Sequence, residues 1–248
     1  MNSPLRNLLK YARHAADTVQ WQVFPGCCRF CGMASETRID LCAVCMADLP
    51  RDGVACVTCA QPLAIASTSC GKCLRSPPPF ARTIAALRYA SPVDALIADV
   101  KFHGRLASVR ILGSLLAHNV QRAYVDDALP DLIVPVPLSL RRLLQRGHDQ
   151  AALLARRLGR ELEIPNALNR VRRSRHTAPQ SELAARARQR NLVGAFAIAK
   201  PVAGLHVALV DDVLTTGATV REVARVLRAG GATRVDVWVA ARTPDPTE

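Results

Sequence analysis

Two adjacent aspartates followed by a hydroxyl-rich, glycine-containing turn are the residues of this chain best suited to hold a phosphorylated sugar. They lie in the string V-A-L-V-D-D-V-L-T-T-G-A-T, from Val207 to Thr219. Val207 to Val210 are short, branched and uncharged, the pattern of a buried strand. Asp211 and Asp212 then fall where a parallel sheet opens into its ligand crevice. Thr215, Thr216, Gly217, Ala218 and Thr219 lead into an apolar periodicity (Val220, Val223, Ala224, Val226, Leu227) that predicts a helix closed by Gly230 and Gly231. Backbone N–H groups at a helix start favour an anion, and small residues let a phosphate approach. No Gly-Lys-Ser/Thr follows the glycine, which excludes a Walker-type loop, and a single glycine does not make a dinucleotide fingerprint.

The second chemistry-bearing pattern is a cysteine series. Eight of the nine cysteines form four C-x-x-C pairs: Cys28 and Cys31, Cys42 and Cys45, Cys56 and Cys59, Cys70 and Cys73. Such turns present thiolates to a tetrahedral ion, so two structural zinc sites of four cysteines each are expected. Sequential pairing is favoured, with interleaved pairing allowed by the spacing. Four thiolates leave zinc no open position, which makes a structural role the expectation over redox chemistry. Cys27 is expected to be a bystander.

The chain is 248 residues long, half of them apolar, enough for one sizeable α/β domain and a small module. Its formal charge of +13 is uneven. Between Leu138 and Arg190 stand thirteen arginines, no lysine and four acids, which predicts a polyanionic partner, diphosphate or nucleic acid. The charges from Arg6 to Asp17 interrupt the N-terminus, so no signal peptide is expected. Leu5, Leu8, Leu9, Ala12, Ala16 and Val19 instead predict a helical stripe that docks on the body, a partner or a membrane surface. No segment approaches the roughly 18–20 apolar residues of a membrane span, and a cytoplasmic protein is expected.

These residues must be positioned by a larger frame. Three modules are expected: an amphipathic helix over 1–24, a double zinc ribbon over 25–76 and an α/β domain over 80–243, with Ser76-Pro77-Pro78-Pro79 as the boundary. Strands are predicted at Thr83–Tyr89, Leu132–Val136, Ala195–Ala199, Val207–Val210 and Val235–Ala240. Helices are predicted from Ser91-Pro92 to near Gly104, over Arg105–Tyr124, and from about Gly147 to Arg160. This alternation argues for a mostly parallel sheet covered on both faces. Arg141 and Arg142, in a basic turn past a buried strand, suit bidentate contacts to diphosphate. Arg172, Arg173 and Arg175 open a basic stretch without apolar periodicity, read as a mobile loop or lid.

The string from Val207 to Thr219 resembles the ribose-phosphate loop of type I phosphoribosyltransferases. That resemblance implies Asp211 and Asp212 at the ribose hydroxyls and Thr215 to Thr219 around the 5-phosphate of 5-phosphoribosyl-1-diphosphate. Further stretches narrow it: C-G-K-C-L-R-S-P-P-P-F (Cys70 to Phe80), K-F-H-G-R-L (Lys101 to Leu106), R-R-L-L-Q-R-G-H-D-Q (Arg141 to Gln150) and Gln180 to Phe196. With the cysteine series they resemble the competence protein F (ComF) family, over nearly everything from Phe24 to Arg242. The family joins a double zinc ribbon to a phosphoribosyltransferase-like domain and is linked to DNA uptake in natural transformation. It commonly has R-G-F-N-Q where this chain has Arg146-Gly147-His148-Asp149-Gln150.

Two functions follow as expectations. One is phosphoribosyl transfer to an acceptor the sequence does not name, with magnesium accompanying the diphosphate and no hood over a nucleobase expected after the last strand. The other is a non-catalytic single-stranded DNA-binding role beside DNA-uptake proteins. That role would rest on backbone contacts, since no Phe, Tyr or Trp occurs between Leu138 and Arg190.

Overall fold

The computed structural model describes residues 26–35, 39–65, 67–174, 192 and 194–245. The helix expected over 1–24, and Arg175 with most of the stretch after it, lie outside the described residues. The chain divides into two compact units between Leu49 and Pro50.

In the first unit, strands β1 (Gly26–Cys27) and β2 (Ala34–Ser35) pair antiparallel, and helix α1 covers Ala43–Ala47. Among the described residues of this unit, the buried apolar ones are Leu41, Leu49 and Cys28.

The second unit begins with the other two cysteine pairs and helix α2 (Gly71–Arg75), and continues into the α/β body. Four strands form one parallel sheet: β3 (Thr83–Arg88), β4 (Leu132–Pro135), β7 (His206–Leu214) and β8 (Arg234–Arg242), in the order β3-β8-β7-β4. Residues 207–210 are fully buried, because a parallel sheet is covered on both faces and its strands read as continuous apolar runs. Helices α4 (Leu106–Ala123) and α6 (Gln150–Glu161) pack against each other and the sheet, and α7 (Ala218–Ala229) packs on β7 and β8. The buried residues of α7 include Val220, Val223, Ala224, Val226 and Leu227, the stripe its spacing predicts.

Several local expectations change. Strand β7 runs on to Leu214, so the two aspartates lie within the strand and not just past it. Arg141 and Arg142 are not in a turn but in helix α5 (Leu140–Arg146), whose cap Ser139 accepts from Arg142 N at 3.4 Å. Gly147 ends α5 in the left-handed region, at φ 73°, so the next helix starts at Gln150. The helix α3 (Val93–Ala98) passes into a π-helical turn, Asp99–His103, which Gly104 closes at φ 59°. The strand expected near Ala195 is β6 (Phe196–Ile198). It leaves the parallel sheet to pair antiparallel with β5 (Val171–Arg173), where a basic loop was expected.

Candidate functional site

The carboxyl ends of the neighbouring strands β4 and β7 open into a cleft of about 530 Å³. This is where open parallel sheets bind ligands. Asp211 and Asp212 line it from β7. Asp211 Oδ1 accepts from Asp212 N at 2.9 Å, and Asp212 Oδ1 accepts from Val213 N at 2.8 Å. Asp212 Oδ2 is buried and has no hydrogen-bond partner among the described residues. It stands 3.3 Å from Lys101 Nζ, within ion-pair distance but without hydrogen-bond alignment. Burial, and then the charge of Asp212, push the Asp211 carboxyl well above the usual carboxylate range, against the pull of Lys101. Two enclosed carboxylates with so few donors suit hydroxyl groups or a cation, either of which would supply the missing partners.

Thr215 to Thr219 form the adjoining wall. Gly217 takes φ 74° as the N-cap of α7, a conformation that favours glycine. No side chain caps the helix, and Thr216 Oγ1 reaches Ala218 N only at 3.5 Å. The positive end of a twelve-residue helix, with no side-chain bond from its N-cap, favours an anion.

The third wall is cationic. Arg142, Arg146 and Arg173 line the cleft. Burial, and then the charge of Arg142, lower the pKa of Arg173. Burial also lowers that of Arg146, where Arg142 repels and Asp212 attracts. Cations that are desolvated and crowd one another gain from an anion placed among them. The amide of Gln150 adds a buried Oε1 without a partner among the described residues.

The structure thus brings together Asp211, Asp212, Thr215 to Thr219, Arg142 and Arg173. Arg141 is exposed and does not line the cleft, while Arg172 borders a neighbouring cleft of about 350 Å³. Sequence reasoning passed over Lys101, Arg146, Gln150 and Phe102. Lys101 and Phe102 arrive on the π-helical turn, a distortion that often marks functional sites. That turn is braced by His148, whose Nε2 lies 2.5 Å from Val100 O and whose ring sits beneath Gly104. A Cβ on Gly104 would come within 3.2 Å of the imidazole. His148 is therefore a hydrogen-bonded structural histidine. Its neighbour Asp149 is the N-cap of α6, accepting from Ala152 N at 3.0 Å. Burial holds the Asp149 carboxyl above its ordinary range.

The eight C-x-x-C cysteines gather as Cys28, Cys31, Cys42 and Cys45 in the first unit and Cys56, Cys59, Cys70 and Cys73 in the second. Within each group the Sγ atoms all lie within 4.8 Å of one another, which is sequential pairing. Backbone amides point at sulfur: Cys45 N lies 3.5 Å from Cys42 Sγ, and Cys70 N 3.3 Å from Cys56 Sγ. Against the cost of burial, such bonds bring Cys28 down to about 6 and Cys56 to about 7. Hydrogen bonding with Cys42 raises Cys45 to about 12, and burial raises Cys59 to about 11. Four thiols this close ionise together only around a cation, so both groups fit structural zinc. Cys27 is exposed and belongs to neither group.

No helix among the described residues is long and apolar enough to cross a membrane. A phosphoribosyl transferase domain model matches residues 148–248, and a double zinc ribbon domain model matches 19–74. The chain is 40% identical over 222 residues to the DNA utilization protein YhgH of Escherichia coli K12, covering 88% of this chain and 98% of that one. It is 38% identical over 192 residues to competence protein F of Haemophilus influenzae, covering 75% and 84%. Among solved structures, the glutamine phosphoribosylpyrophosphate amidotransferase of B. subtilis, complexed with ADP and GMP, overlaps 58% of this chain and 30% of its own at 20% identity. Its TM-score of 0.39 is too low to carry weight. Two four-cysteine clusters, a phosphoribosyl transferase domain match on a parallel sheet, and relatives matched along 98% and 84% of their own length place the chain in the competence protein F (ComF) family.

Proposed function

We propose that the cleft binds 5-phosphoribosyl-1-diphosphate, or a related phosphorylated ribose, in a protein of DNA uptake. The observation that carries the ligand is the meeting of three walls in one cleft: an enclosed aspartate pair, an uncapped helix start and an arginine cluster. Asp211 and Asp212 take the ribose hydroxyls, and Thr215 to Thr219 take the 5-phosphate on the N–H groups of α7. Arg142, Arg146 and Arg173 take the diphosphate, and magnesium accompanies it. Arg172, beside Arg173 on β5, adds positive charge at the neighbouring cleft. The biological setting rests on the relatives, one named for DNA utilization and one for competence.

If transfer occurs, the anomeric C–O bond to diphosphate breaks as a bond to the acceptor forms. The arginines stabilise the charge on the departing diphosphate, and the aspartates hold the ribose as its ring becomes cation-like. Catalysis of this kind is positioning and electrostatic stabilisation, with no nucleophile from the protein. The test is calorimetric titration with magnesium and phosphoribosyl diphosphate. Asp211→Asn and Asp212→Asn should each weaken binding at least tenfold, the cost of about 1.4 kcal/mol or more. Unchanged affinity in both variants would remove the aspartates from the site.

A second reading, single-stranded DNA binding, gains from Phe102. It is 66% exposed at the cleft, with the Arg146 guanidinium 5.5 Å from its ring centroid. The basic segment has no aromatic residue of its own, and Phe102 supplies the stacking face that such binding uses beside charge. A gel-shift salt series should give an affinity that falls steeply with salt and drops in Phe102→Ala. Affinity indifferent to both would exclude this reading.

A further inference from the structure

The loop that borders the phosphate wall and the second four-cysteine site share one buried side chain. Arg242 ends β8 and is 6% exposed. Its Nη1 donates to Leu214 O at 3.0 Å and Thr215 O at 2.7 Å, the residues that open the Thr215–Thr219 loop. Its Nε donates to Cys59 O at 3.1 Å, and its Nη2 to Gln61 Oε1 at 2.8 Å. Cys59 is a member of the cluster, and Gln61 O accepts from Cys56 N at 2.8 Å. Gln61 is itself 2% exposed, and its Oε1 also accepts from Asp245 N at 3.0 Å. A second connection runs beside the first, with Thr243 N donating to Leu214 O at 3.0 Å.

A guanidinium is a rigid planar fork, so its donors cannot follow two groups that move apart. Buried, it also cannot replace a lost carbonyl with water without opening the structure around it. An ion at the second cluster would fix the Cys59 turn, and the Leu214–Thr215 carbonyls are held by the same guanidinium.

We propose that Arg242 is a positioning residue linking the second four-cysteine site to the phosphate loop, so that metal at Cys56, Cys59, Cys70 and Cys73 and a phosphorylated ribose in the cleft strengthen each other's binding. The link rests on the proposed sugar site. Because coupling between sites is reciprocal, ligand must slow metal loss by the factor by which metal raises ligand affinity. Couplings of this type run from roughly 5- to 150-fold.

The experiment follows zinc release from the full-length protein to a chromogenic chelator, with and without magnesium and phosphoribosyl diphosphate. Ligand should slow one phase of release about tenfold, within the usual range of couplings. That phase should persist in Cys31→Ser, which removes a ligand of the first cluster, so it belongs to the second. In Arg242→Gln, zinc should still be retained, but its release should no longer respond to ligand. Ligand that binds the native protein without slowing either phase overturns the link and leaves the sugar site standing. A native protein that binds no ligand overturns both. The native measurement decides even if Arg242→Gln fails to fold.

Discussion

The parallel sheet carries a buried aspartate cluster at each end, and the two are built in opposite ways. At the amino end, Asp236 is fully buried and surrounded by donors. Its Oδ2 accepts from Tyr124 Oη at 2.5 Å, His206 Nε2 at 2.9 Å and Arg82 Nε at 3.2 Å, and its Oδ1 accepts from Arg234 Nε at 3.1 Å. Burial pushes this carboxyl up, but the bonds from His206, Tyr124 and Arg234 prevail and bring it to about 2. At the carboxyl end, Asp211 and Asp212 have few donors, and burial and then the charge of Asp212 make Asp211 costly to ionise. A satisfied cluster holds a fold together, whereas one short of partners is prepared to receive them from a ligand.

The largest effect belongs to the amino end. Asp236→Ala would leave Tyr124, His206 and two arginines facing a gap, at a cost of roughly 3–5 kcal/mol. Denaturant unfolding should register that loss while ligand affinity of the folded fraction stays near native. Asp212→Asn at the other end should do the reverse. Its stability should change by no more than about 1 kcal/mol, because it relieves an ill-satisfied charge, while binding collapses. A large loss of stability in Asp212→Asn would erase the distinction between the two ends.

The pH response should also have opposite signs. Asp236 has a folded pKa below its unfolded value, so its stabilisation is present above the usual carboxylate pKa of about 4 and disappears as pH falls through about 2. Asp211 has a raised folded pKa, so folding favours its proton. Its contribution is most favourable below the unfolded value of about 4 and is lost as pH rises through the folded one. Asp211→Asn should therefore gain stability over native protein at neutral pH and lose that advantage in acid. Stability curves of the two proteins against pH check this, and parallel curves would refute it.

The smallest expected effect lies behind the site. His148→Ala removes the bond to Val100 O that braces the turn of Lys101, and should cost about 1 kcal/mol in stability. Ligand affinity should fall a few-fold as Lys101 loses its register with Asp212. His148→Phe, which restores the residue type common in the family, should recover affinity if the ring's packing is what counts.

How much of this was legible differs between the walls. The strand-loop-helix from Val207 to Thr219 could be read directly because all its residues are contiguous, and the apolar run, hydroxyls and glycine each have a local meaning. The cysteine pairs were legible for the same reason. Lys101 was not, because the chain crosses the sheet between it and Asp212, and no local pattern records that meeting. A signal was present: only four of the 33 basic residues are lysine, and one lies in the Lys101–Leu106 stretch. Arg146 was hidden by the expectation of a turn at Arg141-Arg142, where Ser139 in fact caps a helix and sets its face. Asp236 has no local signature, since Arg82, Tyr124 and His206, three of its four partners, come from separate parts of the chain.

The most direct measurement is calorimetric titration of the native protein with magnesium and phosphoribosyl diphosphate. Saturable binding at one site per chain, weakened at least tenfold in Asp211→Asn and in Asp212→Asn, is the predicted result. Absence of saturable binding, or unchanged affinity in both variants, would contradict a carboxyl-end cluster poised for a sugar phosphate.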